Sequence, residues 1–251
     1  MTAELHVDGA AYPVDAVIVD KDGTLIGLHA LWGTWALLVA ERLEAAGGPA
    51  TPSAARLLRA IGVHDGVVGE ESVLAAEPMP EVELALVRVL TAPGRGHEEA
   101  ARAVETACDL AERDPRLSSA VTALPNVTGF LEDCATHRVR TAVVTADDTQ
   151  RAREHVEAAG LAHLVDEVVG ADLVAASKPD PTGVLMACRR LGASPRRTVM
   201  VGDSAHDVTA ARRAGLAAGI LLRGGDQRGP GDHRVTGWHD LALHECAADP
   251  A

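Results

Sequence analysis

Aromatic residues are nearly missing from this chain: one Tyr, one Phe and three Trp make up 2% of its 251 residues. A basic excess is missing too, because 36 Asp and Glu stand against 23 Lys and Arg, a formal net charge of −13. Nucleic-acid backbones and anionic membranes attract cations and stacking side chains, so neither suits this chain as a partner. An anionic substrate would have to be small and met by local positive charge. Cysteine is sparse, and Cys108, Cys134, Cys188 and Cys246 lack the paired spacing of a zinc or redox site. Reduced, buried thiols in a cytoplasmic protein are the expectation. No long apolar run occurs either. The stretch from Leu28 to Ala40 is interrupted by His29, Gly33 and Thr34, and it is shorter than the ~20 residues of a membrane-spanning helix. The start, Met1-Thr2-Ala3-Glu4-Leu5-His6, has neither the basic opening nor the apolar core of a secretion signal.

What is present is a change of texture along the chain. Residues 4–9 alternate weakly and read as a short edge strand, and Ala16-Val17-Ile18-Val19 reads as a buried one. From about Leu28 to Leu117 the composition turns to Ala, Leu, Glu and Arg. Helices are expected there over 31–46, 53–61, 80–90 and 97–113, separated by Gly and Pro punctuation. After Pro125 strands (141–144, 167–169, 198–201, 218–222) alternate with helices (127–137, 149–159, 181–191, 205–214). Such alternation implies parallel strands joined by right-handed crossovers. Residues 224–231 read as a loop, and 234–244 as a last short strand and helix. The expected fold class is therefore α/β, a doubly wound parallel sheet over 1–27 and 119–251, with an all-helical insert over 28–118.

Four segments carry candidate chemistry. In Asp20-Lys21-Asp22-Gly23-Thr24-Leu25, residues two apart on a strand share a face, so Asp20 and Asp22 project together from the strand's carboxyl end. Paired carboxylates repel unless a cation or a shared proton relieves them. Thr145 ends a strand, and its hydroxyl with the backbone N–H groups from Ala146 onward suits a phosphate oxygen. Helix capping by Thr145 or Asp147 is the competing reading. Lys178, in Lys178-Pro179-Asp180-Pro181, leaves a stiffened loop and could hold an anion; the competing reading is a solvated lysine. In Gly202-Asp203-Ser204-Ala205-His206-Asp207, Asp203 and Asp207 offer the oxygen ligands magnesium prefers, and capping competes again, most of all for Asp207. All four lie past expected strand ends, on one edge of a doubly wound sheet.

In their order and spacing these residues resemble the haloacid dehalogenase superfamily, in the branch with a helical cap after the first strand. The match spans about 14–27 and 120–222, and Lys178 through Gly215 is similar to phosphoglycolate-phosphatase-like members. The resemblance implies that Asp20 is a nucleophile forming an aspartyl-phosphate and that Asp22 is the general acid, then base. It implies that Thr145, Ala146 and Lys178 hold the phosphoryl group, with Lys178 also orienting Asp20. It places Mg2+ on Asp20, Asp203, Asp207 and the backbone carbonyl of Asp22. Asp22 separates reaction classes, since an alkoxide leaving group needs a proton and a halide does not.

The implied activity is a magnesium-dependent phosphatase of a small phosphorylated metabolite. A phosphosugar mutase is the alternative, and a non-catalytic phosphometabolite-binding protein a further one. Lys21 departs from the apolar residue many relatives carry, and its side chain should point away from Asp20, against the neighbouring helix. His29, Trp32, Trp35, His64 and Asp65 are candidates to face substrate, although Leu31, Trp35 and Leu38 have the spacing of a helix core. The alanine-rich insert is a candidate homodimer contact.

Overall fold

The computed structural model describes residues 3–48, 51–69, 72–91, 96–222 and 233–245. The expected loop at 224–231 and Cys246 lie outside them. The chain divides into two compact units, Met1–Gly27 with Ala123–Ala251, and Leu28–Thr122.

The chain begins with β1 (Ala3–Val7) and β2 (Ala10–Val14), where one strand over 4–9 was the expectation. Asp8 and Gly9 take φ values of 48° and 76°. Two left-handed residues in a row turn a hairpin in the sense that matches strand twist. β3 (Ala16–Val19) follows, with all four side chains buried.

The second unit holds α1 (Leu28–Ala46), α2 (Ala54–Ala60), α3 (Val73–Ala76), α4 (Met79–Thr91), α5 (His97–Glu112) and α6 (Pro115–Ala120). Its sequence-based end at 118 would cut α6, which belongs wholly to this unit. α1 is its spine and packs on α2, α5 and α6. Leu31, Trp35 and Leu38 recur at helical spacing and are buried, and the Trp32 ring meets Trp35 edge-on at 5.8 Å. Both tryptophans thus serve the packing of this unit, while His29, His64 and Asp65 are exposed. The unit is not all-helical: its described residues include one small hairpin, β4 (Val63–His64) and β5 (Val67–Val68), turned by Asp65 with φ 51°.

The first unit resumes with α7 (Val127–Thr136), β6 (Arg140–Val144), α8 (Thr149–Ala158), β7 (Glu167–Val169) and α9 (Thr182–Leu191). It continues through β8 (Thr198–Gly202), α10 (Ala205–Ala214), β9 (Ala218–Leu222), β10 (His233–Val235) and β11 (Ala242–Glu245). Six strands form one sheet in the order β10-β9-β8-β3-β6-β7, and every pair is parallel. Ile18, Ala142 and Met200 pack with Val184, Cys188 and Ala211 of α9 and α10. The alternate residues Val17, Val19, Val199 and Val201 are equally buried, so the strands are apolar on both faces, as in a covered parallel sheet.

The expected last helix is only a single turn at Trp238–Asp240; β11 then pairs antiparallel with β1, giving a three-stranded sheet β11-β1-β2. Pro13 sits on β2, an edge strand, where its missing N–H breaks no ladder. Trp238 packs on Phe130, ring centroids 4.9 Å apart, and donates its indole N–H to the Thr24 carbonyl at 2.9 Å. The chain's last elements thereby brace the loop that follows β3.

Candidate active site

β3 is central, with β8 on one side and β6 on the other. The chain leaves β3 toward β6 and β7, then crosses back to β8 and runs outward to β9 and β10. The order therefore switches between β3 and β8, where doubly wound sheets bind ligands past the strand ends. Asp20 follows β3, Asp203 follows β8, and Thr145 follows β6. The Asp20 N–H donates to the Val201 carbonyl at 2.9 Å, which carries the ladder one residue past β3.

The chain then turns sharply. Leu25 and Ile26 both donate to the Lys21 carbonyl, at 2.9 and 3.0 Å, and Gly23 donates to Ile26 at 2.8 Å. Gly23 has φ 76°, and a Cβ there would lie 2.0 Å from an Asp203 carboxylate oxygen. Backbone conformation and space both require glycine. Gly23→Ala should cost about 2–4 kcal/mol in urea unfolding; a loss below ~0.5 kcal/mol would mean the loop relaxes freely.

Four predicted residues converge. The Lys178 ammonium lies 2.5 Å from Asp20 Oδ1, 2.6 Å from Asp207 Oδ1 and 2.9 Å from the Val144 carbonyl oxygen. Asp20, Asp203 and Asp207 each bring an oxygen within 4.8 Å of the others. Asp207 answers to both sequence readings. Its Oδ2 accepts from the Ser204 N–H (3.1 Å) and hydroxyl (2.6 Å) in a capping box at the start of α10, while Oδ1 faces Lys178.

Burial, with the charges of Asp207 and Asp203, pushes the Asp20 carboxyl up to about 8 against the pull of Lys178. Burial works against the charge on Lys178, but Asp20 and Asp207 outweigh it and raise its pKa. Asp20, Asp203 and Asp207 thus converge on one another and two of them on the Lys178 ammonium. An all-oxygen donor set of this kind fits a hard divalent cation.

Thr145 is buried, and its Oγ1 accepts the Asp147 N–H at 3.1 Å. Neither residue caps α8: Asp148 does, accepting from Gln150 N at 2.9 Å. The Asp22 side chain is not among the clustered carboxylates; the resemblance implies a metal contact through its backbone carbonyl only. Its side chain is held instead by Lys21, whose ammonium lies 3.1 Å from Asp22 Oδ1 and 3.0 Å from Oδ2. The same ammonium meets Asp147 Oδ2 at 3.0 Å and His155 Nδ1 at 2.9 Å.

Sequence reasoning sent Lys21 toward the neighbouring helix but missed Asp147 and His155 as its partners. The available signal was the pair of acids after Thr145, of which only one can be the cap.

Comparison with known proteins agrees with this geometry. The profile of the haloacid dehalogenase-like hydrolases matches residues 14–215. The chain is 48% identical over 77 residues to a probable phosphatase IndB of Dickeya dadantii, covering 31% of this chain and 34% of that protein. It is 29% identical over 215 residues to a phosphoglycolate phosphatase of Rhodospirillum rubrum, covering 83% and 80%. Several other curated relatives are matched over less than half of their length, as with the 45% of a Pasteurella multocida phosphoglycolate phosphatase.

Among solved structures, a putative β-phosphoglucomutase from Thermotoga maritima superposes with a TM-score of 0.64 at 21% identity, covering 88% of this chain and 94% of that one. A phosphatase from Thermococcus onnurineus gives 0.63 at 23%, covering 90% and 95%. These likenesses show the fold. With the profile spanning most of the sequence and the strand-end aspartates meeting at one switch point, this chain belongs to the haloacid dehalogenase-like hydrolase family.

Proposed function

We propose that the protein is a magnesium-dependent phosphatase of a small phosphorylated metabolite, working through an aspartyl-phosphate on Asp20. The observation that carries this reading is the meeting of Asp20, Asp203 and Asp207 with Lys178 at one strand edge. Asp20, Asp203 and Asp207, with the Asp22 carbonyl, would hold the cation. When bound, it screens the anionic nucleophile from the anionic phosphate and spreads transition-state charge.

Asp20 attacks phosphorus, held by Lys178 from one side. Asp22 gives its proton to the leaving oxygen as the P–O bond breaks, then takes a proton from the water that attacks the phosphoaspartate and frees Asp20. Thr145 and the Ala146 N–H stand at the end of β6 to receive phosphoryl oxygens. Lys178 has three neighbours already, so it reaches a phosphoryl oxygen by sharing a proton now directed at a carboxylate or at Val144.

Purified protein should release inorganic phosphate from p-nitrophenyl phosphate with Mg2+ and lose that activity in excess chelator. No release from a broad panel of phosphomonoesters would exclude the reading. Isomerised sugar phosphate with little free phosphate would replace it by the mutase, and tight ligand binding without turnover by the non-catalytic protein.

A further inference from the structure

Of the 23 Lys and Arg residues in this chain, only Lys21 and Lys178 are lysines. The Lys21 side chain is fully buried and that of Lys178 is 9% exposed, and both ammonium groups face the candidate site's acids. Lys178 is accounted for by the nucleophile. Lys21 is not, and its side chain is fully buried beside Asp22.

An ammonium has three protons to donate, and Asp22, Asp147 and His155 stand within reach of Lys21. Each acceptor is itself placed. Asp147 Oδ1 accepts from the Asp148 N–H at 2.8 Å and faces Arg151 at 3.4 Å, which leaves Oδ2 for Lys21. His155 projects from α8, and burial followed by the neighbouring Lys21 charge lowers its pKa to about 4, so the imidazole is neutral and accepts through Nδ1. Lys21 and Arg151 both face Asp147, and Lys21 also meets Asp22. Within the network the side chains of Asp147 and His155 are 6% and 10% exposed, whereas Asp22 keeps 20% and Arg151 27% of its surface.

Fold stability does not explain this arrangement. Burying an ammonium costs several kcal/mol, and replacing a buried ion pair by apolar residues is often neutral or stabilising. What the ammonium does provide is a fixed point for one carboxyl group, gripped through both oxygens.

We propose that Lys21 is a positioning residue for Asp22: anchored by Asp147 and His155, it holds the Asp22 carboxyl in the orientation from which the leaving oxygen is protonated. The proposal rests on the acid–base role given to Asp22 above. During the first displacement the Asp22 proton passes to the leaving oxygen as the P–O bond breaks and the bond from Asp20 to phosphorus forms. Lys21 stays in contact with the carboxyl before and after, so no reorientation accompanies the transfer.

The test is the dependence of kcat/KM on the leaving group, because this ratio reads the steps up to departure. An alkyl phosphate needs a proton on its leaving oxygen, whereas 2,4-dinitrophenolate departs unaided. Lys21→Met should lower kcat/KM for an alkyl phosphate by about 100-fold more than for 2,4-dinitrophenyl phosphate. Because Lys21→Met leaves Asp147 buried without its partner, Lys21→Met with Asp147→Asn is measured alongside and should show the same split. Equal loss on both substrates, or no loss, overturns the proposal while leaving the phosphatase reading intact.

A crystal structure of the double variant is an activity-independent readout. An Asp22 carboxyl that rotates or spreads over several conformers supports the proposal, and one unmoved from its native position overturns it even if the phosphatase reading itself has failed.

Discussion

Asp20→Asn should lower phosphate release on the order of 10^4-fold or more, because the amide keeps the shape of the nucleophile and removes its charge. The same substitution should stabilise the protein in chelator near neutral pH. Burial holds the Asp20 carboxyl at about 8 in the folded state, against 3.8 for a free aspartate side chain. Between those values the folded state binds a proton that the unfolded chain does not. The contribution of this group to stability is therefore full below about pH 4 and is lost as pH rises through 8. In chelator, thermal unfolding should show the wild-type midpoint falling over this window and the Asn variant falling less. Mg2+ should raise the wild-type midpoint more at pH 8 than at pH 5, since the cation takes the place of the proton. An active Asn variant would remove Asp20 from the chemistry, and a Tm response to Mg2+ equal in wild type and variant would remove it from the cation site.

Lys178→Met should have the next largest effect and a different signature. The ammonium facing Asp20 and Asp207 disappears while their carboxylates stay buried. Removing one partner of a buried ion pair costs about 3–5 kcal/mol. Urea unfolding in chelator should show a loss of this size at pH 8 and a smaller one at pH 5, where protonation relieves Asp20. Mg2+ should recover part of the loss, because a cation among the same oxygens meets the same need. Phosphate release should fall on the order of 10^2–10^3-fold even with Mg2+ present, from the lost stabilisation of charge at phosphorus. Unchanged stability in chelator would contradict the ion pairing described here. A loss of stability with full activity would make Lys178 a structural residue only.

Much of the parallel core could be read locally. Val17–Val19 and Val199–Val201 are short apolar runs, Gly215 closes a helix in the left-handed conformation, and the catalytic candidates stand just past strand ends. Each of these is a property of a window of a few residues, where side-chain periodicity and turn chemistry decide. Less was legible at the chain's margins. The stretch after Val235 has no strong period, and β11 exists because β1 offers it a ladder. The hairpin of β1 and β2 depends on Asp8 and Gly9 alone, a two-residue turn signal inside a weakly alternating stretch.

By itself, then, the sequence determined the α/β alternation, the helical insert and the order in which Asp20, Thr145, Lys178 and Asp203 come to the strand ends. Only the tertiary structure decided that Asp207 both caps α10 and faces Lys178, and that Lys21 finds His155 across 134 residues. The physical reason is that strand and helix patterns are written in neighbours along the chain. The acceptors of a buried charge are chosen by packing, and hydration that a solvated lysine would keep must be replaced by whatever the fold brings within about 3 Å.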